Sequence, residues 1–327
     1  MTTAPRTILV TGASGFVGSH LIPALAAAYP DATLLMPRVD IRNAAEVDAA
    51  VRTGLPDVAI HLAAVSAAVA AQQAPDLTWQ VNLHGTMHLA WALSRHAPDC
   101  QMLFVSSADA YGTSFRAGQQ IDERTPLAPI NTYAETKAIA DLALGGMAAQ
   151  GLRVVRLRPF NHTGPGQSPQ FVVAAFAQQI ARIAAGVQAP VIQVGNLETW
   201  RDFLDVRDVC AAYIACIARR DSLAPGTILN LASGQARRIG DVLADLAALA
   251  GVEIEINVDA SRVRDTDIRM AAVVQCGHAN FSDGGRSYRG NKPCRRCWTI
   301  VECRSPPKVN RTSPRPRPES TAEDVSA

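Results

Sequence analysis

Apolar positions along the chain fall into two textures. Short apolar-rich stretches at 7–10, 31–36, 56–64, 102–107, 152–158, 191–194, 227–232 and 252–258 read as strands, those at 7–10 and 56–64 as buried ones. Between them, at 21–28, 44–51, 77–95, 133–149, 171–186, 208–219 and 239–250, apolar residues recur three and four apart and predict helices. Strands alternating with helices predict an α/β fold, a doubly wound parallel sheet covered on both faces, with a smaller C-terminal unit. No internal repeat breaks the alternation. From about residue 271 the periodicity stops. Arg, Pro, Ser and Gly dominate there, and Pro306-Pro307 and Pro314-Arg-Pro-Arg-Pro318 exclude helix and sheet. The chain therefore divides into 1–160, to which later strands return, then 161–270, and an atypical, disordered basic tail at 271–327.

The first strand-to-helix turn carries the sharpest chemical signal. It reads Thr11-Gly-Ala-Ser-Gly-Phe-Val-Gly18. Gly12 permits the tight turn, Gly15 lets a phosphate approach the backbone, and Gly18 lets the helix pack close to the strand. The helix N-terminus then offers free N–H groups and a positive dipole end to a pyrophosphate. Glycines alone also suit a merely flexible loop, but the strand before and helix after favour a dinucleotide site. Residues 1–160 are thus read as a dinucleotide-binding (Rossmann) domain. Small residues closing the strand at 56–64 let a cofactor pass over the sheet. His61, inside that strand, reads as a satisfied core residue rather than a catalyst. No acid stands at 36 or 37 to hold an NAD ribose. Arg38 is either a partner for the 2′-phosphate of NADP or a solvated loop charge. Asp40 and Ile41 are placed to touch the adenine edge.

Composition narrows the class. The chain has 327 residues, 48 % of them apolar, enough for one large or two intimate domains with a real core. A net charge of +2 argues against nucleic acid and against an anionic membrane as partner. No apolar run reaches the ~18 residues of a membrane span, and the N-terminus lacks a secretory apolar region. A cytoplasmic enzyme is expected. Cys100, Cys210 and Cys216 read as buried thiols of a reducing compartment. Cys276, Cys294, Cys297 and Cys303 crowd the tail. Cys294-Arg-Arg-Cys297 is half a zinc knuckle without a regularly spaced second half, so no metal site is expected.

The strand at 102–107 delivers Ser106 and Ser107 to the carboxyl edge of the sheet, where ligands bind in such folds. Asp109 follows at once. Tyr133 and Lys137 lie one helical turn apart and share a face. A lysine ammonium beside a phenol favours the phenolate and should lower its pKa. Tyr133 then becomes a general acid or base, and Ser107 can hydrogen-bond the same reacting oxygen. A Tyr-x-x-x-Lys spacing alone describes many exposed helix faces. Its weight comes from following the glycine turn and the serine strand in that order.

These motifs resemble the extended short-chain dehydrogenase/reductase family, also called the NAD-dependent epimerase/dehydratase family, over residues 6 to about 268. The resemblance is carried by the glycine turn, His61-Leu-Ala-Ala64, Ser106-Ser-Ala-Asp-Ala-Tyr-Gly112, Tyr133-Ala-Glu-Thr-Lys137 and Arg158-Pro-Phe-Asn161. Arg158-Pro-Phe-Asn-His-Thr-Gly-Pro-Gly-Gln167 and Arg201-Asp-Phe-Leu-Asp-Val-Arg-Asp208 look like its GDP-mannose branch, which holds 4,6-dehydratases and 4-keto-6-deoxy-sugar reductases. The resemblance implies Ser107, Tyr133 and Lys137 as the catalytic trio. It implies a seat for NADP or NAD lined by Gly12, Gly15, Phe16, Val17, Asp40, Ile41, Leu62, Ala63 and Ala64, with Tyr133 and Lys137. Asn161, Phe171, Val172 and Arg201 would contact a GDP-linked sugar. Arg201 suits a diphosphate because its guanidinium fork is permanently charged; a salt bridge to Asp202 or Asp205 is the alternative.

The dehydratase pattern has Thr-Ser-Glu where this chain has Ser107-Ala-Asp109. Asp109 is one methylene shorter than that Glu. The chain also lacks the longer arginine-rich loop of dehydratases after strand two. Both points favour reduction of the 4-keto group of a GDP-4-keto-6-deoxyhexose, as in GDP-6-deoxy-D-mannose or GDP-rhamnose synthesis. The 4,6-dehydratase is the enzymatic alternative, and a cofactor-binding remnant inactivated by its altered tail is the non-enzymatic one. A homodimer is the expected assembly.

Overall fold

The structure, a computed structural model, describes residues 3–117, 121–259 and 270–271. Thr7–Thr11 (β1) leads into Phe16–Ala28 (α1), then Thr33–Leu35 (β2), Ala44–Gly54 (α2) and Val58–His61 (β3). Ala68–Gln73 (α3), Pro75–Trp79 (α4) and Thr86–His96 (α5) precede Gln101–Val105 (β4). Thr132–Ala149 (α6) is followed by Val154–Pro159 (β5) and Asn161–Thr163 (β6). Val172–Ala184 (α7), Val191–Val194 (β7), Trp200–Asp205 (β8), Val206–Ala218 (α8) and Ile228–Leu231 (β9) come next. Ala236–Arg238 (β10), Ile239–Ala250 (α9), Glu255–Val258 (β11) and Met270–Ala271 (β12) complete the described elements.

The central sheet is parallel, in the order β2-β1-β3-β4-β5-β9. Its inner strands β1, β3 and β4 are buried on both faces, which is why they read as largely apolar runs. Successive residues of β1 point to opposite sides. Leu9 joins Val51 of α2, Leu93 of α5 and Leu144 of α6 in one core. Ile8 and Val10 join Leu21 and Leu25 of α1 and Tyr213 and Ile217 of α8 in the other. The strand order reverses at β1, so the crevice at the carboxyl ends of β1 and β3 is the place for a ligand. A third core, from α7, β7 and α9, belongs to a smaller unit. There β7 pairs with β11, and β8 is flanked by β10 and β12 and also pairs with β6.

The predicted fold class is the observed one, with local corrections. The helix expected at 77–95 is three pieces: α4, a π-turn at Gln80–Gly85, and α5. Tertiary bonds made by Asn82 and Thr86 hold the wide turn, and apolar spacing does not register it. The helix expected from 21 begins at Phe16, so half of the glycine turn is already its first turn. Strands β6, β8 and β10 lie outside the stretches whose pattern predicts a strand. Two are three residues long and β8 is half polar, too little for a periodic signal. Cys100, Cys210 and Cys216 are free buried thiols, as expected. The tail beyond Ala271, with its cysteines, lies outside the described residues.

Candidate active site

A cleft of about 430 Å³ opens over the carboxyl ends of β1, β3, β4 and β5, a volume typical of small-molecule sites. The glycine turn forms one wall, with Gly12, Gly15, Phe16, Val17 and Gly18, and Leu62, Ala63 and Ala64 form the floor. Ser107, Asp109, Tyr133, Lys137, Asn161 and Phe171 line the rest. Gly12 has φ +70°, and a Cβ there would stand 2.6 Å from the Ala63 nitrogen. Only glycine lets the turn lie on that floor. Gly15, at the N-cap of α1, offers no side chain to the helix's first N–H groups. Those donors point where a pyrophosphate would sit. At the end of β4 the Ser106 hydroxyl is buried with no hydrogen-bond partner. A backbone cradle, an uncapped helix start and an unpartnered hydroxyl together fit a dinucleotide.

The Asn131 side chain accepts from the Ala134 N–H at 2.9 Å and fixes where α6 begins. Tyr133 and Lys137 therefore stand on its first turns, facing β4. The Ser107 side chain hydrogen-bonds Tyr133 and accepts from the Asp109 N–H at 3.1 Å. Lys137 Nζ donates to the Val105 carbonyl at 2.8 Å and lies 5.3 Å from the Phe104 ring centroid. Burial brings the Lys137 pKa down to about 8. Burial also pushes the Tyr133 phenol above its ordinary value; the charge of Asp109 adds to this and the Ser107 bond opposes it. The expectation that Lys137 lowers the phenol is thus not met. Desolvation dominates, and the ammonium is directed at Val105. The consequence is a phenol that keeps its proton at neutral pH.

Four expected site residues stand apart from the cleft lining. Ile41 is buried in the core over α2 and α5. Asp40 is exposed and clasped by Arg42 at 2.5 Å, which holds its carboxyl down at about 2. Val172 opens α7 with its side chain exposed. Arg201 lies on β8 and donates to the Trp200 carbonyl at 2.9 Å. Of its suggested acidic partners, Asp202 accepts from the Ser233 and Gly234 N–H groups, and Asp205 pairs with Arg207. Conversely, Ser14, Ser66, Pro159, Phe160, His162 and Gln167 line the cleft without having been assigned a role. His162 and Gln167 stood inside a quoted motif, which was the only signal for them. The His162 ring stacks on Phe16 at 6.2 Å, while His20, edge-on to Phe16, bonds the Pro165 carbonyl at 2.8 Å.

His61 is the satisfied core residue the sequence suggested. Nδ1 meets the Thr11 hydroxyl at 2.7 Å and Nε2 the Thr86 hydroxyl at 2.9 Å. Burial, then the Lys137 charge, push its pKa down to about 3. The unfolded chain thus binds this proton more tightly than the folded one, and stability should fall as pH drops from 6.5 toward 3. Asp40 and Asp48, whose pKa values are lowered from 3.8, add acid sensitivity only at and below that pH. Thermal melts should show Tm declining already between pH 6.5 and about 5. A flat Tm across that window would refute the burial of neutral His61.

A model of the NAD dependent epimerase/dehydratase family matches residues 8–232. The chain is 40 % identical over 279 residues to the GDP-6-deoxy-D-mannose reductase of Pseudomonas aeruginosa, covering 84 % of this chain and 90 % of that protein. It is 26 % identical to the GDP-6-deoxy-D-talose 4-dehydrogenase of Aggregatibacter actinomycetemcomitans, covering 80 % and 86 %. The solved structure of RMD from Pseudomonas aeruginosa complexed with NADPH aligns with a TM-score of 0.78 and 36 % identity, over 92 % of this chain and all of that one.

Proposed function

The chain belongs to the NAD dependent epimerase/dehydratase family, and from that premise we propose that it reduces the 4-keto group of a GDP-4-keto-6-deoxyhexose with NAD(P)H. The observation that carries this reading is the meeting of Ser107, Tyr133 and Lys137 in one cleft walled by the glycine turn. The 40 % identity to a GDP-6-deoxy-D-mannose reductase supports the choice of sugar.

Gly12, Gly15, Phe16 and Val17 would hold the dinucleotide over the Leu62, Ala63 and Ala64 floor, with Lys137 on its ribose. When bound, it supplies the hydride for the sugar carbonyl carbon. Tyr133 gives its phenolic proton to the oxygen that becomes the alkoxide. Ser107 donates a hydrogen bond to the same oxygen and keeps it in line. Asn161 and Phe171, at the cleft's other end, face the GDP-linked part; Val172 and Arg201 are assigned to it on the resemblance alone.

Incubation with NADPH and GDP-4-keto-6-deoxymannose should consume both, and GDP-mannose should be left alone. Cofactor binding with no turnover would favour a cofactor-binding remnant. One observation favours the dehydratase as a second reading: Asp109 lines the cleft, and its charge acts on Tyr133. Taking the C5 proton needs a carboxylate within about 2.6–3.2 Å of it. The shorter aspartate should not reach. Release of a 4-keto product from GDP-mannose would give Asp109 that role.

The proposal extends to the setting. Residues 161–270 are assigned to the nucleotide sugar because α7, β7 and α9 within this stretch share a core of their own, while α8 and β9 return to the central sheet. Protection of that stretch from limited proteolysis by GDP would check this. Buried free thiols suit a reducing cytoplasm, and cell fractionation tests it. Among the described residues, no helix is long and apolar enough to cross a membrane. Trp91 on α5 and Ile139 and Leu142 on the adjacent α6 are large apolar side chains exposed at 52 %, 42 % and 60 %. A two-fold axis beside these helices would bury them against their own copies, giving the homodimer. Sedimentation should give twice the chain mass, and Leu142→Glu half of that. A single-chain mass for the parent protein would refute the dimer.

A further inference from the structure

A line of buried hydrogen bonds runs beneath the cleft, and each proton in it is placed by elimination. The Thr86 hydroxyl lies 2.6 Å from the Asn82 carbonyl. A carbonyl has no proton to give, so Thr86 donates. With its one proton committed, Thr86 accepts from His61 Nε2, 2.9 Å away. Burial keeps His61 neutral beside the Lys137 charge, so Nδ1 is bare and accepts from the Thr11 hydroxyl at 2.7 Å. Thr11 in turn accepts the Ala63 N–H at 3.4 Å.

The line continues on the other side. The Asn82 amide donates to the Val65 carbonyl at 3.1 Å and to Thr136 Oγ at 3.0 Å, and its oxygen accepts the Val65 N–H at 2.8 Å. The Thr136 hydroxyl donates to the Tyr133 carbonyl at 2.8 Å. Thr11, His61, Asn82, Thr86 and Thr136 are each at most 5 % exposed. One end of the line is Ala63, on the floor of the dinucleotide seat. The other is the backbone of the residue that gives up the reacting proton. The π-turn at Gln80–Gly85 is what sets Asn82 and Thr86 between them.

We infer that His61 is a positioning residue: as the neutral Nε2–H tautomer it holds the seat floor at 62–65 in register with Tyr133. Hydride and proton reach the same carbonyl from these two places, so their spacing governs the rate. A misplacement of about 1 Å costs on the order of 10²-fold. The inference rests on the reductase reading but is tested partly without turnover.

The experiment compares the full chain with His61→Leu, His61→Gln and Thr86→Val. NADPH affinity is read by nicotinamide fluorescence, kcat and KM with the GDP-4-keto-6-deoxy sugar, and Tm by thermal melting. His61→Leu should weaken NADPH about tenfold and lower kcat about 10–100-fold. Thr86→Val exchanges a hydroxyl for a methyl and should lower kcat similarly with KM within about twofold. His61→Gln can still donate to Thr86 and should recover most of kcat. Should His61→Leu fail to fold, Thr86→Val decides. A fall in Tm with affinity and kcat within about twofold of the parent would make the line a plain core feature and overturn the inference. If the parent binds NADPH but reduces no keto-sugar, the reductase reading fails, and the affinity of His61→Leu alone decides this one.

Discussion

Replacing Tyr133 by Phe is expected to lower turnover by about 10²–10⁴-fold while NADPH affinity stays near that of the parent. Only the hydroxyl is removed. The ring, the α6 cap at Asn131 and Lys137 all stay in place. Burial holds the phenol protonated, so its proton is available when the carbonyl oxygen becomes an alkoxide. Ser107 cannot substitute, because its weaker acidity suits it to hydrogen bonding rather than proton transfer. Single-turnover oxidation of NADPH with the keto-sugar, beside a cofactor titration, measures both quantities. A variant within tenfold of the parent would remove Tyr133 from the reaction.

The second large effect is expected at Asp141, which the sequence did not mark. It sits on α6 one turn beyond Lys137 and is fully buried. Arg158 on β5 meets it with two hydrogen bonds, Nε at 2.9 Å and Nη2 at 2.9 Å. Arg156 adds a third at 3.1 Å. Arg158 continues to the Tyr111 hydroxyl at 2.9 Å, which donates to Asn230 Oδ1 at 2.8 Å. The catalytic helix, β5, the serine turn and β9 are thereby tied at one carboxylate. Asp141→Asn leaves two guanidinium groups without their counter-charge, one of them deeply buried. Removing one partner of such a pair costs about 3–5 kcal/mol. Urea unfolding should show that loss as a lower midpoint with an unchanged slope. A loss under about 1 kcal/mol would mean the network is decorative.

By itself the sequence determined the architecture and singled out the candidate reacting groups. Mostly apolar runs such as Thr7–Thr11 and Val58–His61 mark strands buried on both faces, because period and burial are written locally. The glycine turn was legible because strand, glycines and helix are contiguous. Tyr133 and Lys137 were legible because a spacing of four residues is one helical turn. What lay beyond local pattern was decided only in three dimensions. The Thr11–His61 bond joins residues 50 apart, and the Asn82–Thr136 bond residues 54 apart. Neither leaves a periodic trace, and the π-turn that carries Asn82 read as unbroken helix. Asp40 and Ile41 were placed by sequence position, and only the fold shows Asp40 paired with Arg42 and the Ile41 side chain packed in the core. The protonation of Tyr133 turned on the same difference. Spacing reveals that Lys137 is near, whereas the water excluded from around the phenol is a property of the packed fold, and desolvation outweighs the neighbour.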